Sequence, residues 1–174
     1  MIETADKPLA LRRYQEPDYD ACRALWVELT EHHRRLYDDP AIGGADPGAA
    51  IDAYLRDERL CGPWVAVRAG RVVGLAGLLL DREEAEIEPV IVASLHRGQG
   101  IGRELVRHLL EQAQGLGVRF LSVRPVFRNA RAIAFFAEAG FGLVGRVELF
   151  QDLRPEAGRT WRTDLVLHGR PFGY

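Results

Sequence analysis

One hexapeptide constrains this chain more than any other feature: Arg97-Gly98-Gln99-Gly100-Ile101-Gly102, set between an apolar run and a segment of helical periodicity. A strand that enters a helix through glycines leaves the first helical amides facing outward with no partner inside the helix. Glycine admits a left-handed turn and lets a ligand approach the main chain, while the helix end contributes roughly half a positive charge. Such a turn is an anion site suited to phosphate. Arg97 and Arg103 flank it and offer charge-assisted bonds to a diphosphate. Two other phosphate loops compete for the segment, and both fail on spacing. The dinucleotide fingerprint needs a third glycine where Arg103 stands. A nucleoside-triphosphate loop ends in Gly-Lys followed by Ser or Thr, which does not occur here. A bland glycine turn joining a strand to a helix is the remaining alternative.

The periodicities on either side supply the frame. Residues 9–14 read as a first strand, and Pro17, Asp18 and Tyr19 open a helix carrying Cys22, Leu25, Trp26, Leu29 and His33 at helical spacing. Residues 37–48 are dense in turn formers and predict a long loop, followed by a short helix over residues 49–56. The runs 64–67 and 72–80, parted by Ala69-Gly70-Arg71, make a hairpin. Alternation through Glu86 and Glu88 into Val90-Ile91-Val92 gives another strand. The helix after the glycine turn places Leu105, Leu109, Leu110 and Ala113 on one face and stops at Gly115 or Gly117. Residues 120–123 predict a compact buried strand. Asn129 caps a helix containing Ala132, Ile133, Phe136 and Ala137 that ends at Gly140. Residues 143–149 and 160–167 predict two last strands. The order β-α-α-β-β-β-α-β-α-β-β is that of an α/β fold, a mixed sheet with helices packed on it. With no repeat and no low-complexity tract, residues 1–174 read as a single domain with its core over 9–167.

The totals exclude several other classes. A chain of 174 residues buries roughly 70% of the surface its unfolded form exposes and needs no staple. Its 23 basic and 25 acidic residues leave a formal charge of −2, so nothing points to nucleic acid or to a membrane surface. The longest apolar stretches, such as residues 72–80, fall far short of the roughly 20 residues that span a bilayer. The acidic start Met1-Ile2-Glu3 lacks the regions of a signal peptide, and the expected location is the cytoplasm. Cys22 and Cys61 have neither zinc nor redox spacing and read as free thiols. Glu31, His32 and His33 invite a metal reading, but adjacent histidines on a helix diverge and no further ligands follow at suitable spacing, so a helix surface and no metal are expected.

On the glycine turn and one further block, the sequence resembles the GNAT superfamily of acyl-CoA N-acyltransferases. The family signature is Arg or Gln, two residues, Gly, one residue, then Gly or Ala; Arg97, Gly100 and Gly102 match it after the strand at residues 87–92. The second block is Asn129-Ala130-Arg131-Ala132-Ile133-Ala134-Phe135-Phe136-Ala137-Glu138-Ala139-Gly140-Phe141. It follows the family's Asn, two residues, Ala-Ile, one residue, Phe-Tyr, three residues, Gly-Phe, except that Phe136 stands where tyrosine is common. The resemblance covers residues 9–167. It implies six to seven mostly antiparallel strands with about four helices, and a central parallel pair, the fourth and fifth strands, splayed into a wedge. The pantetheine arm of acetyl-CoA would lie in that wedge like an added strand, along Val90, Ile91 and Val92. The diphosphate would sit on the amides of Gly98, Gln99, Gly100, Ile101, Gly102 and Arg103, with Arg97 beside them. Independently of the family, Pro89 cannot donate to a ladder and marks a bulge or an edge in its strand. The donors near Val92 and Ala93 are then candidates for the pantetheine amide and for the thioester oxygen as it gains charge. Phe136 lines the same site, and Asn129 either bonds the cofactor or only caps its helix.

An alkyl amine is nucleophilic in only about one molecule per thousand at pH 7, so a base is useful. Glu86 and Glu88, two apart on a strand and so on one face, are the candidates. Counting back from the glycine turn, Glu86 falls where many members of the resembled family place their catalytic glutamate, so it is the expected base with Glu88 as substitute; the alternative is a pair of solvated strand residues. The family often draws the proton for the departing thiolate from the tyrosine that is Phe136 here. Water or a tyrosine from elsewhere would have to replace it, or the thiolate, with a pKa of about 8.5, leaves unaided. The loop over residues 37–47 borders the acceptor pocket in this family. Its aspartates hint at a positively charged acceptor, and the acidic run at residues 81–86 reads either as a solvated hairpin tip or as a field that attracts a cationic amine. Trp64 and Trp161 read as core or interface packing. The aromatic tail, residues 168–174, packs on the body or on a second subunit, which leaves a homodimer open. The favoured reading is acetyl transfer from acetyl-CoA to a primary amine by direct attack in a ternary complex. The rivals are a non-catalytic acyl-CoA sensor or interaction module and an unrelated nucleotide-binding α/β protein.

Overall fold

A computed structural model of the chain describes residues 8–153 and 161–174. The acidic start at Met1-Ile2-Glu3 and the expected beginning of the last strand at Thr160 lie outside the described residues. In chain order the elements are β1 (Leu9–Arg13), α1 (Tyr19–Tyr37), α2 (Ala50–Leu55), β2 (Leu60–Arg68), β3 (Arg71–Asp81), β4 (Glu84–Val92), α3 (Ile101–Gly115), β5 (Phe120–Ser122), α4 (Ala130–Glu138), β6 (Leu165–Leu167) and β7 (Arg170–Phe172). A 3₁₀ turn, Glu16–Asp18, leads into α1. There the Asp18 carboxylate accepts from the Gln15 amide at 2.9 Å and from Arg12 at 2.6 and 2.8 Å. These bonds outweigh burial and hold Asp18 below the usual carboxylate range. At its other end α1 stops where Asp38 turns left-handed at φ 51° and returns its amide to Arg34 O.

The sheet runs in the order β1-β2-β3-β4-β5. Neighbours pair antiparallel up to β4, and β4 pairs with β5 in parallel. Because side chains alternate along a strand, the sheet has two apolar faces. One carries Trp64, Ala66, Ala85 and Ile87 under the buried stripe of α3, Ile101, Leu105, Val106, Leu109 and Ala113, with Phe135 and Phe136 of α4 at its margin. The other carries Val65, Leu75 and Ile91 under Cys22 and Leu25 of α1 and Ile51 of α2. Each large aliphatic side chain so buried contributes about 1.5–3 kcal/mol. The free thiols are Cys22, buried, and Cys61, half-buried; burial pushes the Cys22 thiol up to about 12.

Three expectations need correction. β5 is short and its burial runs exposed, half-buried, exposed, with Phe120 54% exposed; it is the last strand of its sheet rather than a buried one. Residues 143–149 form no strand, and Leu143 and Val144 are 92% and 89% exposed. Their β propensity finds no partner, because a three-residue edge is a poor template for a further ladder. The last two strands instead form a separate ribbon, Leu165↔Phe172 to Leu167↔Arg170. The tail packs on the body. The Tyr174 ring meets Phe127 edge to face at 4.8 Å, and Tyr174 O accepts from Arg128 at 2.7 and 3.0 Å. Trp64 is core, whereas Trp161 is partly exposed beside Gly173 of that tail.

Candidate active site

The parallel ladder is brief. Glu84, Ala85 and Glu86 pair with Phe120, Leu121 and Ser122, and there β5 ends. β4 runs on to Val92 against β3 alone, through Ala76↔Val90, Leu75↔Ile91 and Gly74↔Val92. Among the described residues, the flank of β4 beyond Glu86 that faces away from β3 has no strand against it. The bulge expected at Pro89 is present: Ala76↔Val90 is followed by Leu78↔Ile87, so Glu88 and Pro89 together oppose Gly77. An extra residue in one strand bends it and increases its twist.

The glycine turn lies at the far end of this free flank. Gly98 and Gly100 sit at φ 75° and 81°, in the left-handed region that glycine tolerates. A Cβ at either position would meet nothing within 4 Å. Gly98, Gln99 and Gly100 are exposed, while Ile101 anchors the helix start in the core. Glu104 N donates to Gly100 O at 3.1 Å, and the helical amides ahead of it have no intrahelical acceptor. The turn therefore presents main-chain donors to open space at the positive end of α3.

The two arginines of the turn differ. Arg103 is largely exposed at the rim, 3.3 Å from Glu138. Arg97 folds back: Nε donates to Val92 O at 2.9 Å and Nη2 lies 3.4 Å from Glu28. The Glu28 carboxylate also accepts from the Ser94 amide at 2.8 Å, so α1 clasps the turn from behind. Gln99 bonds Leu95 O at 3.2 Å and accepts from Arg68. Of the remaining predicted cofactor residues, Val90 and Val92 pack toward the α3 face and Ile91 toward α1. Asn129 caps α4 by accepting from Ala132 N at 3.1 Å. Phe136 is wedged between the Phe135 and Phe141 rings, at 5.1 and 5.7 Å.

Ala85 and Ile87 point into the α3 face, so Glu86 and Glu88 point to the α1 and α2 face. Glu86 is 8% exposed and sits on the last rung of the parallel ladder. Burial raises its carboxyl pKa, Arg124 opposes this, and Glu88 adds to the rise. Arg124 Nη2 lies 2.9 Å from Glu86 Oε2. Glu88 is exposed beside the bulge. The Tyr54 ring of α2 meets Trp26 tilted by 42°, with ring centroids 5.0 Å apart. Its hydroxyl is buried without a hydrogen-bond partner against Gly77, opposite the bulge. Burial, and next the charge of Glu88, push its pKa upward. This hydroxyl lies on the sheet face opposite Phe136, so it does not take the position of the missing tyrosine.

Glu28, His32, Tyr54 and Arg124 are parts of the site that the sequence reading did not select. The two histidines are half-buried rather than on an open helix surface. Burial, and then Arg97 for His32 and His32 for His33, lower their pKa values. Helical spacing put His33 on the inner side, but nothing in the local pattern brought His32 near Arg97. Among the described residues no group of three His, Cys, Asp or Glu side chains is placed to hold a metal ion. No helix among them is long and apolar enough to cross a membrane.

A parallel pair that parts beside a glycine-opened helix, with a buried carboxylate at the fork, places the chain in the acyltransferase class of mixed α/β folds. The pattern of the Acetyltransferase (GNAT) family matches residues 16–141, and the chain belongs to that family. It is 34% identical over 148 residues to the N-alpha-acetyltransferase RimI of Mycobacterium tuberculosis, covering 82% of this chain and 84% of that protein. It is 32% identical over 121 residues to N-acetyltransferase 8 of Rattus norvegicus, covering 66% of this chain. There the match spans about half of the relative, 51% of its length. Among solved structures, an acetyltransferase of Trypanosoma brucei superposes with a TM-score of 0.62 at 25% identity, over 84% of this chain and all of that one.

Proposed function

We propose that this chain transfers an acetyl group from acetyl-CoA to a primary amine by direct attack in a ternary complex, acting as one domain whose core spans residues 9–167. The observation that carries the reading is the unpaired flank of β4, which runs from Glu86 at the fork to an exposed turn of main-chain donors at residues 98–100. An extended amide-bearing arm is complementary to such a flank, as a strand is to a sheet edge. A diphosphate is complementary to the turn, with Arg103 adding a charge-assisted bond at the rim and Arg97 bracing the turn through Val92 O and Glu28.

The chain's own groups then divide the work. Of the donors expected near Val92 and Ala93, the Ala93 amide is taken by Val73 O at 2.9 Å and the Ser94 amide by Glu28, so the Val92 amide, on the flank away from β3, is the one left to face the developing charge on the thioester oxygen. Glu86, directly or through one water, takes the proton that the ammonium must lose before its nitrogen can bond to the acyl carbon. The carbon–sulfur bond breaks as that bond forms, and the thiolate leaves with water as its proton source, since Phe136 has none to give. Exposed Glu88 and the acidic hairpin at residues 81–84 favour a cationic acceptor. Because the relative matched over most of its length is an N-alpha-acetyltransferase, peptide N-termini lead the acceptors to be tried, followed by polyamines and aminoglycosides.

Thiol release over that amine panel tests the reading, together with thermal shift. Acetyl-CoA should raise Tm by several degrees while NADH and ATP do nothing, and an equal response to ATP would remove the acyl-CoA assignment. The second reading, a non-catalytic acyl-CoA sensor, is favoured by Phe136 alone. It predicts the acetyl-CoA shift with no thiol release over any amine.

A further inference from the structure

Glu86 and Ser122 form the last rung of the parallel ladder. Arg124 therefore stands beyond the fork, on the chain diverging from β4. Val123, between it and β5, packs into the α3 cluster, and Arg124 turns away from that cluster. Its guanidinium reaches back across the opening to Glu86 at 2.9 Å, from an arm 69% exposed to a carboxylate 10% exposed. Three charged groups bear on Glu86: Arg124 after β5, Glu88 on β4 itself, and Arg59 ahead of β2. Arg59 is held by the Asp57 carboxylate at 2.6 and 3.0 Å, so its field at Glu86 is largely answered by its own partner. Arg124 is the cation in contact.

A carboxylate this buried is driven toward its neutral form, which cannot accept a proton, unless a cation stands against it. We propose that Arg124 is a positioning residue that keeps the Glu86 carboxylate ionised and turned toward the opening between β4 and β5. The proposal rests on the reading of Glu86 as the base. Because the arm is solvent-exposed, an arriving ammonium exchanges one cation for another at Glu86 without stripping a buried contact from the protein.

The test follows the Glu86 carboxyl directly. In protein labelled with carboxyl ¹³C-glutamate, the Glu86 signal is identified by its loss in Glu86→Gln. It is then titrated in wild type, Arg124→Gln and Arg124→Lys, alongside pH profiles of kcat/KM. Arg124→Gln should move the Glu86 midpoint and the acid limb of the rate up by about 1 pH unit. Arg124→Lys should restore most of that movement, and the Tm gain with acetyl-CoA should be the same in all three proteins, since Arg124 is outside the phosphate turn. A Glu86 midpoint unchanged in Arg124→Gln overturns the proposal. A midpoint that moves while the rate limb stays put upholds the hold of Arg124 on Glu86 and removes instead the reading of Glu86 as the base.

Discussion

Glu86 is asked to be both buried and charged, and these demands pull its pKa in opposite directions. Burial dominates, so the folded carboxyl titrates above its ordinary value of 4.5. A base acts when deprotonated, so kcat/KM should rise with pH through that elevated value, and the acid limb should lie above the usual glutamate range. Glu86→Gln should lower kcat by about 10²-fold or more at neutral pH, measured by thiol release. Linkage gives an independent sign. The folded state holds this proton more tightly than the unfolded chain, so the contribution of Glu86 to stability is present below the unfolded pKa and is lost as pH rises through the folded one. Denaturation of wild type and Glu86→Gln should therefore diverge in the variant's favour as pH rises from the ordinary glutamate value through the raised folded one. Gly77 poses a different residue-scale demand, since a Cβ there would run into the buried Tyr54 hydroxyl. Gly77→Ala should cost about 1–3 kcal/mol by overpacking. Tyr54→Phe removes a buried unpaired hydroxyl and should be close to neutral. The double variant should recover part of the loss in urea unfolding, which marks direct coupling of the two sites.

At the level of elements, the glycine turn and the α4 cap make separable contributions. Gly100→Ala forces a side chain to φ 81°, costing about 1–2 kcal/mol, and should also reduce the Tm gain with acetyl-CoA by disturbing the amide array. Asn129→Ala should cost about 1 kcal/mol through the lost cap while leaving most of that gain. The contrast between the two separates stability from binding in one thermal-shift series. The long elements were legible in sequence because each carries a strong period between firm stops. α3 repeats apolar residues from Ile101 to Ala113 between Gly100 and Gly117, and β3 is an apolar run bounded by the Ala69-Gly70 turn. Glu86 was reached by counting back from the turn, and the bulge by the missing donor of Pro89. What sequence could not give were pairings between distant segments: Arg124 with Glu86, Glu28 with the Ser94 amide, Arg128 with Tyr174 O. No local period encodes those. The strand expected at residues 143–149 failed for a related reason, because propensity reports a preference of the segment whereas a strand also needs an edge to pair with.

Seen whole, the sheet divides the molecule into a face covered by α3 and α4 and a face covered by α1 and α2, and the opening beyond Glu86 is where the two communicate. The phosphate turn belongs to the first face and the carboxylates to the second, so an arm laid along β4 from the turn to the fork would carry its thioester from one to the other. This geometry makes a prediction about the distribution of stability. A ligand that binds the folded state alone stabilises it by about 2.7 kcal/mol at one hundred times its Kd, whatever its location. Hydrogen exchange reports where new protection falls. Protection from acetyl-CoA should concentrate in the amides of residues 98–104 and in alternate amides of residues 88–93, skipping Pro89, which has none. The β1–β2 edge, at the other end of the sheet, should slow only as far as global unfolding is suppressed. Desulfo-CoA, which keeps the diphosphate and most of the arm, should give nearly the same map. ADP, which has no arm to lie along β4, should leave both the turn and the β4 flank exchanging as in the free protein. If acetyl-CoA protected residues 98–104 without slowing residues 88–93, the phosphates would be bound but the arm would lie elsewhere. Glu86 would then be too remote from the thioester to serve as its base.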